Sequence, residues 1–152
     1  MKQKGSVLVG LVSDTHSLTW PHMLAALKGV ELIIHAGDVG RLSVLERLEL
    51  IAPVIAVRDT GFSDDSEMDL PESRTLDIGG VRIHVIHRLQ ELAIDPVTAG
   101  IRVVVHGHTH RASVREADGV LYVNPGNAYA GDMSVGLLRI DNGLVDVDIV
   151  TL

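Results

Sequence analysis

Residues 7–12 are apolar at nearly every position, and residues 31–35 carry an apolar centre. Each run breaks off at a polar turn, Ser13-Asp14 after the first and Gly37-Asp38 after the second. Short continuous apolar runs predict strands buried on both faces of an α/β sheet. Between them, Met23, Leu24 and Leu27 predict a short amphipathic helix over 22–28, with Pro21 in its first turn. Leu42, Leu45, Leu48 and Ile51 repeat at helical spacing and 54–57 returns to strand, which completes two β-α-β units. Such units require a parallel sheet with right-handed crossovers.

The pattern then lapses. Residues 58–72 have no period and are rich in Asp, Ser and Gly, which predicts a loop. Residues 74–78 and 81–86, parted by Gly79-Gly80, read as a hairpin, followed by a short helix near 90–93 and a buried strand at 102–105. The tail alternates strand and turn through 112–116, 121–124, 135–140 and 145–150, and Asn142-Gly143 is a strong hairpin signal. It predicts an antiparallel meander. The expected fold class is α/β, a two-sheet β-sandwich flanked by helices, with residues 1–152 forming one domain.

Composition narrows the function. The apolar share of 46% with 22% charged residues is that of a globular domain, while aromatics at 3% leave few platforms on which bases could stack. A formal charge of -7 argues against general nucleic-acid binding and against anionic membranes. No signal or spanning segment is visible, so a cytoplasmic location is expected. With no cysteine, a bound metal must be held by nitrogen and oxygen.

Such donors stand at successive strand ends: Asp14 and His16 in Ser-Asp-Thr-His, Asp38 in Gly-Asp, and His108 and His110 in Gly-His-Thr-His. Strand ends are where open α/β sheets place their chemistry, and these five residues together read as a divalent-metal centre. Alone, each fragment is weak. Asp14 or Asp38 could cap the segment that follows it. His106 reads as structural, and Trp20, His22 and His35 as packing or surface residues.

Read in order, Ser13-Asp14-Thr15-His16, Gly37-Asp38, Val105-His106-Gly107-His108-Thr109-His110 and Asn124-Pro125-Gly126 resemble the calcineurin-like metallophosphoesterases. The resemblance is nearest to their small, single-domain bacterial and archaeal phosphodiesterase branch. It implies a β-sandwich around one or two divalent ions per chain, manganese foremost, with iron, zinc or nickel as alternatives. It implies that Asp14, His16 and His110 hold the first metal, that Asp38 bridges, and that His87 and His108 hold the second. Catalysis would fall on Asp38, His108 and His110. Metal-activated hydroxide would attack a small phosphate-ester substrate, and two cations roughly 3.5–4 Å apart would need the bridging carboxylate between them. His87, with His84 three residues before it, could instead be a polar strand residue. The resemblance leaves homo-oligomers open.

Two departures weaken the second metal site. The family carries Gly-Asn after the third strand, where this chain has Val57-Arg58-Asp59-Thr60-Gly61-Phe62. Aligned without a gap, Thr60 takes the Asn position, and a ligand is lost unless Asp59, Asp64 or Asp65 replaces it. The competing reading makes these acids a solvated loop. The second departure is His87-Arg88-Leu89 in place of His-Gly-His. Arg88 could contact a phosphate oxygen or simply lie on the surface, and Leu89 brings no acid-base chemistry. With no evident general acid, activated leaving groups should react best. The alternative function is that of a catalytically degenerate relative serving as a protein-binding scaffold, as does the retromer subunit of this fold.

Overall fold

The computed structural model describes residues 5–61, 67 and 69–152. Its first sheet is built from β1 (Val7–Val12), β2 (Leu32–His35), β3 (Val54–Ala56), β9 (Ser134–Asp141) and β10 (Leu144–Thr151), in the order β10-β9-β1-β2-β3. The second contains β4 (Ser73–Ile78), β5 (Val81–Ile86), β6 (Val103–Val105), β7 (Ser113–Ala117) and β8 (Val120–Asn124), in the order β4-β5-β6-β8-β7. Strands β1, β2 and β3 run parallel, as do β5, β6 and β8.

Alternation along each strand explains the layers. Val9 and Leu11 of β1 and Ile34 of β2 face the second sheet, where they meet Ile83, Val85 and Val105 in a shared core. Their neighbours Val12 and Ile33 face the opposite way, against Met23 and Leu27 of α1 (Pro21–Ala26 and its C-cap) and Val44 and Leu48 of α2 (Ser43–Glu49). Both faces of β1 and β2 are thus buried, which is why those runs show no polar alternation. Gly10 interrupts the first run for a steric reason. A Cβ there would stand 2.7 Å from Leu27 Cδ2, so its absence lets α1 settle onto the sheet.

The expected sandwich is present, with three differences from the pattern-based reading. The tail is not one meander: β7 and β8 join the second sheet, whereas β9 and β10 join the first. Strand β8 pairs in parallel with β6, and β9 pairs antiparallel with β1. Hairpin turns at Asp118-Gly119 and Asn142-Gly143 have positive φ at both central residues, the type I′ geometry that matches strand twist. They fix each hairpin without saying which sheet it enters. The two α-helices pack on the first sheet. The expected short helix is a 3-10 turn, Leu89–Glu91, beside a smaller cluster of Ile86, Ile101, Val104 and Val120.

Candidate metal centre

The C-terminal ends of the parallel strands deliver the polar residues to one place. Asp14 and His16 follow β1, Asp38 follows β2, Asp59 follows β3, His87 follows β5, and His108 and His110 follow β6. Backbone bonds tie these turns together: Asp14 N–H donates to Gly37 O at 3.0 Å, Thr15 N–H to Asp38 O at 3.1 Å, and Gly107 N–H to His87 O at 3.0 Å. The chain leaves its strands abruptly. Asp14, His16, Asp38, His108 and His110 all have left-handed backbone, with φ of 54°, 47°, 57°, 73° and 65°. Conformations of this kind cluster at functional sites because surrounding structure must hold them.

Two donor groups result. Asp14, His16, Asp38 and His110 form one, and Asp59, His87 and His108 the other, each with ligand-type atoms within 4.8 Å of one another. Asp14 Oδ1 joins the groups, 3.3 Å from His110 Nε2 and 3.7 Å from His87 Nε2. His16 Nε2 approaches Asp38 Oδ2 at 2.5 Å. In the second group His87 Nε2 stands 3.5 Å from Asp59 Oδ2.

The outer partners aim these atoms inward. Asp14 Oδ2 accepts from Ser13 Oγ–H at 2.7 Å and from His108 N–H at 3.1 Å, which leaves Oδ1 free. His87 Nδ1 is 2.8 Å from Ala36 O, and a carbonyl can only accept, so Nδ1 carries the proton and Nε2 presents a lone pair. Among the described residues, the buried side-chain atoms without a hydrogen-bond partner are Asp14 Oδ1, His16 Nε2, which has only its close ionic approach to Asp38, His87 Nε2 and, outside both groups, His106 Nδ1. Unpaired buried polar atoms are costly. The three on Asp14, His16 and His87 belong to one cluster of carboxylates and imidazoles, which fits a divalent cation.

A buried network supports the turns. His35 Nδ1 accepts from Gly37 N–H at 3.1 Å, so its Nε2–H donates to Thr15 Oγ1 at 3.0 Å, and Thr15 donates to Val39 O at 2.8 Å. Asn124 donates to Gly107 O and to Thr109 Oγ1, at 3.2 and 2.9 Å, clamping the loop that carries His108 and His110. Glu67 accepts from Val39 and Gly40 N–H at 3.1 and 3.2 Å, just beyond Asp38. Tyr129 stacks on His16 with ring centroids 3.9 Å apart and meets His110 edge-on at 5.4 Å.

Protonation follows from burial and charge. Burial, then the charge of Asp14, pushes the Asp38 carboxyl up to about 6. Burial lowers the pKa of His16 and of His108, which favours the neutral, ligating form. Burial alone would raise Asp59, but hydrogen bonds from Arg88 and from Gly61 N–H outweigh it and hold this carboxylate low. Fully buried His35 is pushed down to about 3.

The sequence-derived candidates divide as follows. Asp14, His16, Asp38, His87, His108 and His110 fall within the two groups, and Asp59 stands with the second. The solvated-loop reading of Asp59 is corrected, since this residue is 4% exposed. Thr60 points elsewhere: its hydroxyl donates to Glu91 Oε1 at 2.5 Å. Asp64 and Asp65 lie outside the described residues. Arg88 is no free surface residue, because its Nε donates to Asp59 Oδ1 at 2.9 Å. His35, read as packing or surface, is a fully bonded interior group, and His84 pairs with Thr75 at 2.7 Å, away from both groups. Glu67, Asn127 and Tyr129 escaped the sequence reading. Only the Asn-Pro-Gly motif just before Asn127 gave any signal. A cleft of about 560 Å³, lined by residues including His110, Arg111, Asn127 and Met133, opens beside the first group.

Comparisons with known proteins bear on family and fold. Residues 7–143 match the calcineurin-like phosphoesterase superfamily domain. A protein of Methanothermobacter thermautotrophicus described as a probable metallophosphoesterase is 33% identical, over 95% of this chain and 92% of its own length. A phosphodiesterase of Methanocaldococcus jannaschii is 28% identical over 86% of this chain and 91% of its own. Among solved structures, an archaeal phosphodiesterase superimposes with a TM-score of 0.77 at 23% identity, covering 96% of this chain and 100% of that one. A variant of Vps29 from Entamoeba histolytica gives 0.76 at 21%, covering 96% and 99%. These two likenesses speak for the fold.

Proposed function

The chain belongs to the calcineurin-like phosphoesterase superfamily, and from that premise we propose that it hydrolyses a small phosphate ester, a phosphodiester foremost, at a two-cation centre. The observation that carries this reading is the pair of adjoining donor groups with their buried, unpaired atoms turned inward. Asp14, His16 and His110 would hold the first cation, with Asp38 as the carboxylate proposed to serve both, and Asp59, His87 and His108 would hold the second. With Asp59 as an oxygen donor, the second site is not deprived of the ligand that Thr60 fails to supply.

Cations bound there would lower the pKa of a water toward about 7 and neutralise charge on the phosphoryl oxygens. The protein's own residues do the positioning. Ser13 and the His108 amide fix Asp14, Ala36 O fixes the tautomer of His87, and Asn124 fixes the turn bearing His108 and His110. Leu89 offers no proton to a departing alkoxide, so nitrophenolate should leave faster than an alkoxide. The cleft beside His110 gives the ester's substituent a place to lie.

The test is metal content per chain and hydrolysis of bis(p-nitrophenyl) phosphate with manganese. Activity in the natural protein that disappears in His110→Ala supports the reading. A folded protein that takes up no divalent ion and hydrolyses no phosphate ester would overturn it and favour the scaffold role. Manganese is the proposed native metal and the cytoplasm the proposed location.

A further inference from the structure

Arg88 occupies a position that the metal donors alone do not explain. Its Nε donates to Asp59 Oδ1, which also accepts from Gly61 N–H, so one carboxylate oxygen is fully engaged while Oδ2 faces His87. The guanidinium packs against Gly61. A Cβ on that glycine would stand 1.9 Å from Arg88 Nη2 and 2.4 Å from Cζ, so the glycine is what lets the fork sit down. Among the described residues, Nε is the only guanidinium nitrogen with a hydrogen-bond partner. The side chain is 24% exposed beside the second group, and its charge is felt by His108 and Asp38.

We infer that Arg88 is the phosphate-orienting arm of the site, held by Asp59 through Nε so that its remaining N–H groups grip a phosphoryl oxygen. The inference rests on the two-cation reading above. A guanidinium presents parallel donors that match phosphate oxygens, and fixing one edge of the fork removes much of the rotational freedom that binding would otherwise have to freeze. The charges are also balanced. Asp59 contributes a negative charge that a neutral ligand would not, and Arg88 returns it beside the place where the anionic substrate arrives.

The experiment measures inorganic phosphate binding by calorimetry, with and without manganese, in the natural protein and in Arg88→Met, Arg88→Lys and Gly61→Ala. Gly61→Ala is the decisive variant, because it keeps the arginine and its charge but displaces the fork. Loss of a charged hydrogen-bonded contact should weaken phosphate about tenfold in Arg88→Met and Gly61→Ala. Arg88→Lys should recover part of the loss, and manganese uptake without phosphate should stay within about threefold of the natural protein. Unchanged phosphate affinity in Arg88→Met and Gly61→Ala would overturn the inference. So would loss of manganese uptake in Arg88→Met, because Arg88 would then act only by holding Asp59. A natural protein that takes up no manganese would refute the two-cation reading instead. The same variants compared without metal would still decide for Arg88 if phosphate weakens and against it if phosphate does not.

Discussion

Asp59 divides its two oxygens between neighbours: Oδ1 accepts from Arg88 Nε at 2.9 Å, and Oδ2 lies 3.5 Å from His87 Nε2. The residue is therefore both anchored and left with a donor atom for a cation. Asp59→Ala should remove the second manganese equivalent while the first is retained, and lower phosphodiester hydrolysis by about 10–100-fold or more. Thr60→Ala, whose lost hydroxyl bonds Glu91 rather than either donor group, should leave both within about twofold. Metal counting by mass spectrometry beside an activity assay separates the two. Loss of metal in Thr60→Ala and not in Asp59→Ala would reverse the assignment.

The first group makes its own prediction through Tyr129. Its ring stacks on His16 and its edge meets His110, so Tyr129→Phe should keep manganese affinity, whereas Tyr129→Ala should weaken it several-fold. An aromatic contact of this kind is worth about 0.5–1.5 kcal/mol. Isothermal titration with manganese measures it. A drop in the Phe variant equal to that in Ala would assign the effect to the hydroxyl.

The interior histidine His35 governs a pH response of the metal-free fold. Its pKa is about 3 in the folded chain, against an ordinary 6.5, so the unfolded chain binds the extra proton. Stability is then full above about pH 6.5 and is lost as the pH falls from there toward 3, at up to about 1.4 kcal/mol per pH unit for this one group. Asp38, raised to about 6, acts oppositely between about pH 4 and 6. Denaturant unfolding in chelator should show a His35→Gln variant that is less stable at pH 7 yet flatter between pH 7 and 5. An equally steep slope in the variant would remove His35 as the cause.

Packing supplies a fourth prediction. Gly10→Ala would drive a methyl to within 2.7 Å of Leu27 Cδ2. The buried Leu27 side chain, or the end of α1 that carries it, would have to shift, at a cost of about 1–3 kcal/mol. Thermal unfolding would report the loss, and a variant as stable as the natural chain would show that Leu27 can turn aside freely.

The β-α-β half of the molecule was legible because burial on both faces leaves nearly continuous apolar runs at β1 and β2, while α1 and α2 between and after them show helical spacing of apolar residues. The tail was less legible, since alternation identifies β7 to β10 as strands but cannot say that two of them cross to the other sheet. Donor residues in compact motifs could be found by inspection. Asp59 could not be chosen over Thr60, because an ungapped alignment carries no information about which side chain a turn directs inward. His35 and Tyr129 were missed for a related reason: their roles depend on partners far off in the chain, Thr15 for the first and His16 and His110 for the second.

The left-handed backbone at Asp14, His16, Asp38, His108 and His110 carries a selective cost. Glycine would adopt each of those angles without strain, while a side-chain-bearing residue gives up about 1–2 kcal/mol, somewhat less for Asp and His, which tolerate the region better than most. At these five turns the fold would gain by drifting toward glycine, and the chemistry would vanish with each step. The chain carries the less comfortable residues at every one, so the positions that weaken the scaffold are the same ones that equip it.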